Sequence, residues 1–207
     1  MALYTPKAFV APSLQASLAL VAAQPFATLI TSLADRPPHI THLPLLWSAG
    51  GESGVLSGHM ARANPHWQAF AQGHTVAVFH GPHAYISPSW YAQPEREVPT
   101  WNYATVHAQG QPLLVEEREA KLAMIDALTA QFEAGLPTPW TRSLAPERLA
   151  QLLDATVAFR IPLQLVEGKF KMNQNKTPAD RAKVIDALTT LDDAQARAVA
   201  DWMRAHD

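Results

Sequence analysis

Short strand-like apolar runs crowd the first half of this chain, and helical periods occupy most of the second. The runs Phe26 to Ser32, His39 to Leu46, Val55 to Met60 and Thr75 to His80 predict strands. Turn signals part them at Asp35-Arg36-Pro37-Pro38 and at Gly50-Gly51. Connections this short favour antiparallel pairing, hence a β-barrel or curled sheet rather than a doubly wound fold. Two longer runs, Thr100 to about Val115 and Thr156 to Met172, have the length to bend across a barrel. Pro44 lacks a ladder donor and places its strand at an edge or a bulge.

Helical periods predict Ser13-capped Leu14 to about Ala23, with Leu14, Leu18 and Val21 as the buried stripe, then Glu117 to Ala134, Pro146 to Leu153, Pro178 to Thr189 and Asp192 to His206. Thr177-Pro178-Ala179-Asp180 supplies a cap, a first-turn proline and a first-turn acid. Asp192 with Gln195 reads as a capping pair for the last helix. Its Ala198, Val199 and Trp202 form a stripe that fits the core or a partner. The expected organisation is one domain over residues 1–190, with the helix of residues 191–207 appended to it.

With 207 residues, 48% hydrophobic and 16% charged, the composition is that of a globular chain able to bury a substantial core. The absence of cysteine excludes disulfides, thiolate metal sites and cysteine nucleophiles. A formal net charge of −2 argues against a surface built wholly for nucleic acid, though a local patch is compatible with it. No apolar run reaches eighteen residues, and no basic-then-apolar leader opens the chain, so the expectation is a cytoplasmic protein with no membrane association.

Candidate chemistry concentrates between His80 and Tyr103. That block holds three of the four tyrosines, two of the six tryptophans and four prolines. Aromatic faces with polar tips, stiffened by proline, suit a wall for a planar ligand; an aromatic loop closing the core is the other reading. At Gly58 to Trp67 a strand meets a helix start capped by Asn64, with Arg62 just ahead. That junction reads either as a phosphate site or as a capped surface helix. From Lys169 to Lys183 there are five basic residues and one acid, Asp180. Strand alternation puts Lys169 and Lys171 on one face, Phe170 and Met172 on the other. A solvated face, a phosphate contact and a nucleic-acid patch all fit this stretch.

His39 and His42 lie three apart on a strand and face opposite ways, so they do not chelate together. The His80 and His83 pair lacks a third ligand at suitable spacing, and no metal is expected. His42 shares a face with Ile40 and Leu46, which predicts an inward-facing histidine. Ser87 and Ser89 have no placed acid–histidine partner, and Walker, G-x-S-x-G and G-x-G-x-x-G patterns are missing. No catalytic residue is identified; His80, His83 and Tyr85 are the suspects for proton donation.

Several segments together resemble the PaiB family of FMN-binding proteins, often named negative transcriptional regulators. They are MALYTPKAF from Met1, His42-Leu43-Pro44, GHMARANPHW from Gly58, FHGPHAYISPSWY from Phe79, VPTWNY from Val98 and EGKFKMNQN from Glu167. The resemblance implies an α+β fold, a split β-barrel like that of pyridoxamine-phosphate oxidases with flanking helices, working as a homodimer with FMN. It implies Arg62 and Asn64 at the FMN phosphate, with Lys169 and Lys171 adding charge and Gln174 a polar contact. His42, Tyr85, Ser87, Trp101, Asn102 and Tyr103 would line the ring. It further implies a flavin-dependent regulator or oxidoreductase, or alternatively a DNA-binding repressor with incidental flavin, for which Lys169 to Lys183 is the candidate surface.

Overall fold

A computed structural model describes residues 3–205. In chain order the elements are α1 (Leu14–Ala23), β1 (Phe26–Ser32), β2 (His39–Pro44), β3 (Leu46–Ser48), β4 (Val55–Ala61), β5 (His74–Ile86), β6 (Thr100–Gln109), β7 (Leu113–Val115), α2 (Arg118–Glu133), α3 (Pro146–Asp154), β8 (Thr156–Pro162), β9 (Leu165–Lys171), α4 (Pro178–Thr190) and α5 (Ala194–Ala205). They form two compact units. The first comprises the chain through Leu20, His80–His107 and the chain from Glu167; the second comprises Val21–Phe79 and Ala108–Val166. Among the described residues no helix is long and apolar enough to cross a membrane.

In the second unit, β1 pairs antiparallel with β2 and with the first half of β5. A separate antiparallel sheet has the order β3-β4-β8-β7. Alternation in β1 buries Ala27, Leu29 and Thr31, while β8 buries Val157, Phe159 and Ile161. Phe70 packs edge-on against Phe159 with centroids 5.0 Å apart. Met124 and Leu128 of α2 close over Ala158. Pro44 does mark an edge: β2 ends its sheet, and the run expected through Leu46 breaks there as the Leu45 amide turns to the Pro25 carbonyl at 2.9 Å. The two long runs also break. A Cβ at Gly110 would lie 2.2 Å from the Pro162 carbonyl oxygen, an approach only glycine allows, so β6 gives way to β7 at that corner.

In the first unit the strand order is β5-β6-β9. β5 continues to Ile86, beyond the expected stop at His80. Its burial alternation slips where Pro82 and His83, consecutive residues, both face away from the core, as at a β-bulge. The core side carries Ala84, Ile86, Ala104, Phe170 and Met172, together with Val184 and Leu188 of α4 and Val199 and Met203 of α5. Arg181, buried in α4, donates to the Met172 and Met203 carbonyls at 2.7 and 3.2 Å.

Thr177 and Asp180 cap α4 as expected. For α5 the capping residue is Asp193, whose Oδ1 accepts from the Gln195 amide at 2.8 Å, and not Asp192. The α5 stripe belongs to the core and consists of Ala196, Val199, Ala200 and Met203; Ala198 points outward. In α1 Ser13 caps as expected, but Leu14 is exposed and Ser17 joins Leu18 in the buried stripe.

Candidate functional site

Strand alternation gives the first unit's sheet one buried face and one open face. On the open face stand His83 and Tyr85 of β5, Trp101 and Tyr103 of β6, and Lys169 and Lys171 of β9. Tyr85 and Trp101 are 44% and 53% exposed, high for large aromatics. Their rings meet edge-on at 6.1 Å, and His83 lies 6.3 Å from Trp101. The Lys169 ammonium sits 5.5 Å from the centre of the Tyr103 ring and 5.3 Å from that of Tyr4, and it donates to the Tyr4 carbonyl at 3.0 Å. Lys171 donates to the Thr100 hydroxyl. Burial lowers the Lys171 pKa below the usual lysine value, and the neighbouring Lys169 and Lys176 charges lower it further. Among the described residues neither Lys169 nor Lys171 has an acidic partner.

Two residues of this face escaped the sequence reading. Tyr4 reaches Lys169 across 165 positions of sequence, a contact that no local pattern encodes. His107 shares the outward phase of Trp101 and Tyr103 on β6, so alternation could have found it. Burial lowers the His107 pKa; Glu167 opposes that shift and His80 reinforces it.

Three of the expected ring-lining or polar residues have side chains engaged within the chain. Asn102 lies on the opposite face from Trp101 and Tyr103, as its position between them on a strand requires. It is fully buried, with its Nδ2 3.6 Å from Met203 Sδ and its Oδ1 without a partner. Gln174 spends its side chain on its own turn, accepting from the Met172 amide at 2.7 Å and donating to the Phe170 carbonyl. Ser87 caps the 3₁₀ turn Pro88–Trp90 through the Ser89 amide at 3.2 Å. The basic stretch from Lys169 does not present five free cations either: Arg181 is buried and Lys176 pairs with Glu97.

In the second unit, His42 and Ile40 do share a face, but it is the exposed one. Leu43 is the buried residue of this edge strand, and His42 Nδ1 lies 3.1 Å from the Thr28 hydroxyl. The helix expected after Asn64 is a five-residue 3₁₀ turn, Pro65–Ala69, too short to build a useful dipole. Asn64 caps it through the His66 amide at 3.0 Å, and its Nδ2 donates to Thr41 Oγ1 at 3.0 Å. His66 is buried between Thr41 and Thr31, each hydroxyl 2.8 Å from a ring nitrogen, and it stacks on His39 at 5.5 Å. Burial, and then the His39 charge, lower its pKa to about 4. His59 Nδ1 is buried without a partner, and burial lowers its pKa.

Arg62 is held by the end of α3. Its Nε donates to the Asp154 carbonyl at 2.7 Å and its Nη2 to that of Thr156 at 3.4 Å, and its guanidinium lies 5.9 Å from the centre of the Trp67 ring. Among the described residues no group of three or more potential metal ligands occurs.

Residues 3–164 match the family model described as "Putative FMN-binding domain". The protease synthase and sporulation protein PAI 2 of Bacillus subtilis (strain 168) is 32% identical over 207 residues, covering 97% of this chain and 96% of that protein. Among solved structures, the flavocytochrome Anf3 from Azotobacter vinelandii superposes with a TM-score of 0.63 at 14% identity, covering 84% of this chain and 75% of that one. The FAD and heme binding protein from Mycobacterium smegmatis gives 0.56 at 20% identity, over 79% and 74%. These likenesses are of fold: α+β, a split β-barrel with flanking helices. The donor set on the first unit's open face, aromatic rings with two lysines lacking acidic partners, fits a flat, anionic cofactor.

Proposed function

We infer function from one premise: the chain belongs to the PaiB family of FMN-binding proteins, and FMN is its cofactor. The reading is that the chain holds FMN as a flavin-dependent oxidoreductase or flavin-responsive regulator and works as a homodimer. The observation that carries it is the open face of Tyr85, Trp101 and Tyr103 beside Lys169 and Lys171. Solvent-facing aromatics at this density are costly unless a ligand or a second copy covers them. The isoalloxazine would supply the electron transfer, and the chain would supply binding, orientation and charge. Trp101 and Tyr103 would support the ring. Lys169 and Lys171 would hold the phosphate, and His83 and His107 stand on the same face as candidates to move a proton. His42, Arg62 and Asn64 are further proposed contacts, although the Asn64 side chain is already engaged within the chain and Arg62 only in part.

Purified protein titrated with FMN, followed by flavin fluorescence quenching, tests the reading. Trp101→Ala should weaken binding by about tenfold through lost stacking. An unchanged Kd would remove Trp101 from the site. Anaerobic mixing of the FMN complex with reduced nicotinamide cofactors then separates the two roles: a stoichiometric hydride transfer that bleaches the bound flavin marks an oxidoreductase, and binding without flavin reduction marks a regulator.

A further inference from the structure

The chain ahead of α1 folds back on itself against β9 and is fastened there twice. Near its start the Leu3 amide donates to Glu167 Oε2 at 3.1 Å. On its return Val10 bridges to Lys169, and the Ala11 amide donates to the Gly168 carbonyl at 2.9 Å. A turn at Pro6, whose carbonyl accepts from the Phe9 amide at 2.8 Å, makes the reversal. The return packs tightly: a Cβ at Gly168 would lie 2.6 Å from that of Ala11, so β9 needs glycine there. Between the two fastenings stands Tyr4.

At 81% exposure the Tyr4 ring is too open to belong to a core. What it meets is Lys169. The ammonium lies 5.3 Å from the ring centre and donates to the Tyr4 carbonyl at 3.0 Å. With Tyr103 at 5.5 Å, two rings stand within cation–π range of one charge. The other two ammonium N–H groups of Lys169 have no acceptor among the described residues. A free lysine spreads its head over many rotamers, and ordering it when a ligand arrives costs affinity. Here the ordering precedes the ligand.

We propose that Tyr4 is a positioning residue: its ring and carbonyl hold the Lys169 ammonium on the open face, leaving two N–H groups for the ligand's anionic group. This rests on the flavin reading above and adds to it a residue from the segment ahead of α1. Titrations of Tyr4 variants with FMN and with riboflavin test it. Tyr4→Leu should weaken FMN binding about threefold to fivefold, and riboflavin binding much less. Tyr4→Phe should bind FMN as the wild type does, and Tyr4→Trp should match or exceed it, because indole is the best cation–π partner. That order follows the ring quadrupole, which lost packing alone would not reproduce. At such exposure the melting temperature should stay that of the wild type.

A second readout needs no flavin. Trace acetylation of the ligand-free protein, followed at Lys169 by peptide mass spectrometry and referenced to the exposed Lys183, should be faster in Tyr4→Leu and slow again in Tyr4→Phe. Equal acetylation of Lys169 in the leucine variant and the wild type overturns the proposal. So does faster acetylation with FMN affinity unchanged, and so do equal losses for FMN and riboflavin. If Lys169→Met/Lys171→Met binds FMN as the wild type does, the flavin reading fails by itself. Acetylation then still decides whether Tyr4 holds Lys169.

Discussion

Methionine at both Lys169 and Lys171 is expected to weaken FMN binding by roughly a hundredfold or more, the product of two charge-assisted contacts of about 1.5–3 kcal/mol each. Methionine keeps the length of the stem and its packing beside Tyr103, so the change removes charge more than shape. Riboflavin, which has no phosphate, should bind both proteins about equally. The contrast between the two ligands isolates the lysines from any effect on the ring. Because both side chains are partly exposed, the loss should be largest at low ionic strength and shrink as salt screens the pair. Lys171 adds a pH signature. Burial and two neighbouring ammoniums hold its pKa below the ordinary lysine value, so FMN affinity should begin to decline at a pH where a free lysine is still charged. Equal losses for FMN and riboflavin, or no loss for either, would take the phosphate away from these residues.

Much of the scaffold was legible because alternation and capping are local. β1 runs over the residues its apolar pattern predicts, and Thr177 with Asp180 starts α4 where the cap chemistry places it. Lys169 and Lys171 face away from Phe170 and Met172 for the same reason. The misses also have physical causes. Gly81-Pro82 looks like a strand stop, yet a bulge absorbs it and carries β5 on to Tyr85. Asn102 was placed with Trp101 and Tyr103 by motif, although neighbours on a strand cannot share a face. His42 was expected inside because alternation gives two faces without saying which is covered; on an edge strand the phase is set by neighbours such as Leu43. Arg62, Tyr4 and Lys121 find their partners at 32 to 165 positions of separation, beyond any local pattern. No local pattern marks Lys121 as one of the few buried charges of the fold.

Acid should destabilise the second unit through His66 before most carboxylates titrate. Its two ring nitrogens lie 2.8 Å from Thr41 and Thr31, and Thr31 continues to Thr75 at 2.8 Å. Asn64 Nδ2 already donates to Thr41 Oγ1, so the Thr41 hydroxyl hydrogen is free to point at Nδ1 while Nε2–H donates to Thr31. That arrangement satisfies a neutral ring; an imidazolium would have to donate to both threonines. The folded pKa of about 4 lies below the ordinary histidine value of about 6.5. The unfolded chain therefore binds the extra proton first, and stability rises with pH across that window. The contribution is complete above about pH 6.5 and is lost as pH falls towards 4, for a total of about 3 kcal/mol. His59 and His107, whose pKa values burial also lowers, act in the same direction. Urea unfolding at several pH values should show this slope in the wild type. His66→Phe should start less stable at pH 7, having lost two hydrogen bonds, yet show a visibly flatter curve between pH 6.5 and 4. Parallel curves for the two proteins would mean that His66 is not the group whose protonation opens the fold.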